Sequence, residues 1–243
     1  MLTSSPSARV EEATQVLAAD AASALAAPGR AFTLQRRVAE LDDSGTGLGA
    51  VRVLGADILA PYVLCDRVPG DDDIAVVREA ARAYPAPPVS PTPDLVWAAR
   101  DWALRRVLAR FAVDATTWEG LSPAAAVDSD SGEGIAASID ERWPAWSVAY
   151  ARLSPLALPG LVGATRNEAG RRRADLSRGM VRSMLRRDHL TAARLARWLA
   201  LDHSTAPEPL LTPALEHMAM LATGEPRTAL ELTIAHLLKE PKR

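Results

Sequence analysis

The chain has one cysteine, two phenylalanines and three tyrosines in 243 residues. A single cysteine, Cys65, excludes an intramolecular disulfide and a thiolate metal cluster. Its neighbours Tyr62, Val63 and Leu64 are apolar, which predicts a buried, inert thiol. Lysine is nearly missing: Lys239 and Lys242 are the only two, and every other basic side chain, histidine aside, is arginine. With the excess of alanine and proline this marks a GC-rich genome of actinobacterial type, so arginine is the default base here. No basic stretch followed by an apolar core opens Met1 to Ala13, which predicts no signal peptide. No run approaches the roughly 20 apolar residues that span a bilayer, so the expected location is cytoplasmic, with no membrane partner. A formal net charge of −2 supplies no global attraction for nucleic acid, the least favoured partner.

What is present favours helices. Alanine and leucine dominate over β-branched and aromatic residues, which predicts an all-α helical bundle of one large or two small units. Ser4 to Ser7 can cap a helix in which Val10, Ala13, Leu17, Ala21 and Ala24 recur at helical spacing until Pro28-Gly29. Residues 31–66 are ambiguous, with a loop expected at Asp42 to Gly47 and a possible small β-hairpin within the segment. Asp71-Asp72-Asp73 complement a helix dipole and open a helix with Ile74, Val77, Ala81 and Tyr84 on its apolar face. Pro85, Pro87, Pro88, Pro91 and Pro93 then form an extended connector. The expected division is an N-terminal helical unit at 1–84, the connector at 85–93 and a helical domain at 94–243. Thr92-Pro93-Asp94 starts a helix running to about Val113, with Trp97, Leu104, Val107, Leu108 and Phe111 on one stripe.

From Arg171 onward four amphipathic helices are predicted, at about 174–187, 190–202, 211–223 and 226–239. Their short connectors imply two C-terminal antiparallel helical hairpins. In the last, Gly224 sits at the turn, Ala229 follows five residues later, and Pro241 closes the unit. Ala193 and Ala200 occupy small-residue positions in the preceding hairpin, and Ala193 lies 36 residues before Ala229. This pattern, over 174–241, resembles tetratricopeptide repeats, whose period is about 34 residues. The turn glycine is replaced by Asp188 in the first hairpin, and His236 replaces a small residue in the second. The resemblance implies stacked hairpins that present a peptide- or protein-binding surface.

Five arginines are the candidate partner-binding residues: Arg178, Arg182 and Arg186 at i, i+4 spacing opposite Leu176, Met180 and Met184, with Arg194 and Arg197 beyond. Trp143, Trp146 and Tyr150 recur on one side of a helix and are the candidate walls of an apolar pocket. His189, His203, His217 and His236 share the C-terminal quarter but show no HExxH and no i, i+4 pair, so no metal and no cofactor is expected. Asp128 to Glu133 has acidic alternation but lacks the glycine position and the twelfth-position acid of a calcium loop, and reads as an acidic loop. Gly45 to Gly49 has neither a P-loop lysine nor dinucleotide spacing. The function expected is a helical interaction protein, binding a protein or peptide through its C-terminal hairpins. The alternative is a helical enzyme of specialised metabolism, with the Trp143 pocket and His or Asp as acid–base groups or metal ligands. The sequence leaves the oligomeric state open.

Overall fold

A computed structural model describes residues 5–27, 29–41, 43–87, 95–123 and 142–240. All regular structure among them is helical. The chain divides into two compact units, Met1–Pro123 and Ala124–Arg243. The proline connector from 88 to 93, the acidic loop at 128–133 and Pro241 lie outside the described residues.

The first unit holds α1 (Pro6–Ala26), α2 (Leu34–Ala39), α3 (Ser44–Leu54), a 3-10 turn (Gly55–Leu59), α4 (Ala60–Leu64), α5 (Asp71–Ala83) and α6 (Leu95–Ala109). Ser5 caps α1, its hydroxyl accepting from Ala8 N at 3.3 Å, with Pro6 in the first turn. Ala13, Leu17, Ala21 and Ala24 are buried as their spacing predicts, and α1 packs on α3 and α4. The possible β-hairpin within 31–66 is not found: the described residues of that segment form helices joined by turns and irregular backbone, with no strand. Nor is Ser44 onward a loop: Asp43 caps α3, accepting from Gly45 N at 2.9 Å and from the Thr46 hydroxyl at 2.7 Å. Glycines are poor helix formers, but here they permit a close crossing. A Cβ on Gly49 would stand 3.0 Å from Val10 Cγ2 and 3.1 Å from Tyr84 Cζ.

Ser44–Leu64, 21 residues long, contains an 18-residue window of mean hydropathy 1.4, enough by length and composition to cross a membrane, contrary to the sequence reading. Since 83 % of that window is buried within the protein, it serves as a core helix.

The first compact unit runs on to Pro123, past the connector expected at 85–93. α6 packs against the 3-10 turn of the first unit. A buried ion pair fixes it there. Arg52 Nη1 donates to Asp101 Oδ1 and Arg52 Nη2 to Asp101 Oδ2 at 3.0 Å, while Arg52 Nε donates to Tyr84 O at 2.9 Å. Ser122 N donates to the same Asp101 at 2.7 Å, so the chain is held to this unit as far as residue 122. Asp73 does more than complement a dipole. It accepts from the Tyr62 hydroxyl at 2.6 Å and from Gln35 N at 2.8 Å, tying the start of α2 to α5. Burial, and then the adjacent Asp73, push the Tyr62 phenol above its ordinary range. Cys65 is half-buried, and burial raises its thiol too.

The second unit holds α7 (Trp143–Arg152), a 3-10 turn (Ser154–Leu156), α8 (Ala164–Arg171), α9 (Arg173–Leu185), α10 (His189–Leu201), α11 (Leu211–Leu221) and α12 (Pro226–Lys239). The last four lie within about two residues of their sequence-predicted bounds. α10 is the centre: Ala192, Ala193 and Leu195 through Ala200 are buried, and α7, α9, α11 and α12 pack on it. Asp188 caps α10 by accepting from Thr191 N at 3.1 Å. Gly224 takes a left-handed φ of 88° at the turn before α12. Ala193 and Ala200 are fully buried, whereas Ala229 is half-buried and Thr228 points inward beside it.

Candidate functional site

α9 is amphipathic in a way that leaves one face open. Leu176, Ser177, Gly179, Met180 and Ser183 are buried. α9 reaches α7 at close range because position 179 has no side chain: a Cβ there would lie 2.5 Å from Ser147 Cβ. Arg178, Arg182 and Arg186 project from the other side and are exposed, as their i, i+4 spacing predicts. Leu185 stands three residues after Arg182 and seven after Arg178, on that same arginine face, and is 82 % exposed.

The arginines differ in their partners. Arg178 Nη1 lies 3.2 Å from Asp175 Oδ1. Arg182 spreads over the half-buried Trp143 ring, 5.7 Å from its centroid. Arg186 and Arg187 are exposed, and among the described residues Arg182, Arg186 and Arg187 meet no carboxylate. The backbone beneath them is fixed. Arg187 N donates to Met184 O at 2.9 Å and Asp188 N to Ser183 O at 3.0 Å, the two bonds of a Schellman turn. Arg187 occupies the left-handed position of that turn, φ 60°, where glycine is the usual residue.

Arg194 and Arg197 do not belong to this surface. Arg197 is fully buried and Arg194 largely so, because both serve Glu231 of α12. Arg197 Nη1 donates to Glu231 Oε2 at 3.0 Å, and Arg194 Nε and the Ser154 hydroxyl donate to Oε1, each at 3.1 Å. Arg197 Nε reaches Ala157 O at 3.0 Å. Burial alone would raise the Glu231 carboxyl, but Arg197 and Arg194 outweigh it and hold the group below the usual carboxylate range. Sequence reading missed Glu231. No local pattern pointed to it, because its two arginines lie 37 and 34 residues earlier in the chain.

Trp146 and Tyr150 are in the core, 1 % and 0 % exposed, so their rings line no open pocket. They stack with centroids 4.0 Å apart, Arg172 lies 4.3 Å over Trp146, and Trp198 Nε1 donates to Tyr150 O at 2.9 Å. Of this trio only Trp143 reaches the surface, beside Arg182.

The four histidines do not converge. His189 lies 3.9 Å from Glu225, His203 Nδ1 accepts from Glu208 N at 3.3 Å, His217 is exposed, and His236 is held below its ordinary range by burial and by Lys239. No group of three or more His, Cys, Asp or Glu side chains placed to hold a metal occurs among the described residues. In the first unit a cleft of about 270 Å³ is lined by Arg9, Glu12, Val16, Glu40, Asp43 and Thr46. Two of its three acids are already engaged, Asp43 by Thr46 and Glu40 by Arg37. Comparisons with protein-family models, with curated proteins and with solved structures find no match.

Proposed function

We propose that the second unit is an interaction module that docks a protein partner on the exposed face of α9. On this reading α9–α10 and α11–α12 are two hairpins of tetratricopeptide type, and the first of them carries the contact surface. The observation that carries the proposal is Leu185, a large apolar side chain 82 % exposed at the centre of an arginine face. Arginine is enriched at interface hot spots, and a large apolar side chain left in water still has its burial to gain on docking. The short turns at Asp188 and Gly224, and the packing of α10 on both α9 and α12, support the hairpin architecture. Burial of Trp146 and Tyr150 removes the open aromatic pocket of the enzyme reading, and the described residues hold no group of three or more His, Cys, Asp or Glu placed to bind a metal.

The test places a photoreactive residue at Arg178 or Leu185, with exposed Val162 as control, and crosslinks in extract of the native host. A single adduct common to Arg178 and Leu185 but not Val162 is expected. That protein, purified, should bind the full chain with an affinity that falls with salt and weakens in R178A/R182A/R186A. Unchanged affinity and salt dependence in the triple variant would reject the α9 surface.

A further inference from the structure

We propose that the segment docked on α9 is a short acidic peptide bearing one large apolar side chain, which seats on Leu185 while its carboxylates meet Arg182, Arg186 and Arg187. This inference rests on the docking reading above and specifies the chemistry of the partner.

Charge complementarity comes first. Arg178 is already partly neutralised by Asp175, whereas Arg182 and Arg186 on the same face, and Arg187 in the turn that ends α9, meet no carboxylate among the described residues. Clustered guanidiniums repel one another, and each presents a fork of donors matched to a carboxylate. Their geometry is set in advance. Arg182 rests on the Trp143 ring, and the backbone that carries Arg186 and Arg187 is pinned by the two Schellman bonds, so the freedom lost on binding is that of the Arg186 and Arg187 side chains alone.

Leu185 separates this surface from a general polyanion site. Nucleic acid would be served by exposed aromatic rings on which bases stack, but the side chain at the centre of these arginines is aliphatic and Trp143 is already covered by Arg182. One isolated leucine, with no wider apolar face on α9, is also too little for a lipid surface. It fits one apolar side chain flanked by acids.

The probe is a short fluorescein-labelled peptide of alternating glutamate and serine with one central leucine, titrated by anisotropy into the full chain. A second peptide has alanine in place of the leucine. The leucine peptide should bind about tenfold more tightly than the alanine peptide, as burial of one such side chain implies. L185S should abolish that difference and leave the weak binding of the alanine peptide unchanged. R182A/R186A/R187A should weaken both peptides and flatten their salt dependence. Circular dichroism and melting temperature verify that each variant folds, and L185S alters a side chain already in water.

Equal binding of the two peptides, no binding of either, or an L185S variant that keeps the preference would overturn the proposal. So would tighter binding of an oligothymidylate of equal charge, or of phosphatidylserine vesicles. If the photocrosslinked partner contacts Leu185 through a neutral or basic segment, the docking surface stands and its acidic occupant falls.

Discussion

Arg197 and Glu231 form an ion pair at 3.0 Å between α10 and α12, with both side chains withdrawn from water. A buried pair of this kind adds little over an apolar replacement of both partners, yet removal of one partner strands the other charge. Glu231→Ala leaves Arg197 and Arg194 without their shared carboxylate. It should cost about 3–5 kcal/mol of stability in urea denaturation of the full chain. A loss below about 1 kcal/mol would mean that water enters and solvates the arginines.

The same carboxyl sets an acid limit. Its pKa is depressed in the folded state, so across the window between that value and the ordinary glutamate value the unfolded chain binds more protons than the folded one. The stability it contributes is complete above the ordinary value and is lost as the pH falls through the depressed one. Glu231→Gln should be less stable at neutral pH and show a shallower loss on acidification, read from melting temperature against pH. A parallel displacement of the two curves would assign the acid sensitivity elsewhere.

Gly179→Ala poses two effects against each other. In an open helix the change stabilises by about 1 kcal/mol. Here the new Cβ would meet Ser147 Cβ at 2.5 Å, so the overpacking cost of about 1–3 kcal/mol should win. Combination with Ser147→Gly should recover part of the loss. Additive losses in the double-mutant cycle would show that the helices separate rather than clash.

Arg187→Gly should move stability and binding in opposite directions. Relief of a left-handed arginine should raise stability by roughly 1 kcal/mol, measured as an upward shift in melting temperature. The same change removes one guanidinium from the basic seat of the acidic peptide and should weaken binding of the leucine peptide. A variant that is no more stable than the parent would show that the turn tolerates arginine without strain.

The C-terminal helices were legible because apolar spacing and short links agreed within a few residues of sequence. The stretch from 31 to 66 was not, since its helical state depends on tertiary packing. Gly49 would weaken an isolated helix but lets Val10 and Tyr84 approach in the folded unit. The exposed arginines were legible from spacing alone, as Arg178, Arg182 and Arg186 oppose an apolar face. Arg194 and Arg197 were misplaced because their partner Glu231 lies 37 and 34 residues further on, beyond any local pattern. Asp101 escaped for the same reason, 49 residues from Arg52. Leu185 was the converse case, because a leucine on a polar face is unremarkable until its exposure is known.

The central place of α10 has a kinetic meaning. Helices cover it on nearly every side, so the amide hydrogens from Leu195 to Leu199 reach solvent only when the second unit opens as a whole. Their exchange with deuterium therefore times that global opening. Amides near the end of α11, where Met220 and Leu221 stand in water, exchange through local fraying and report only on their own turn.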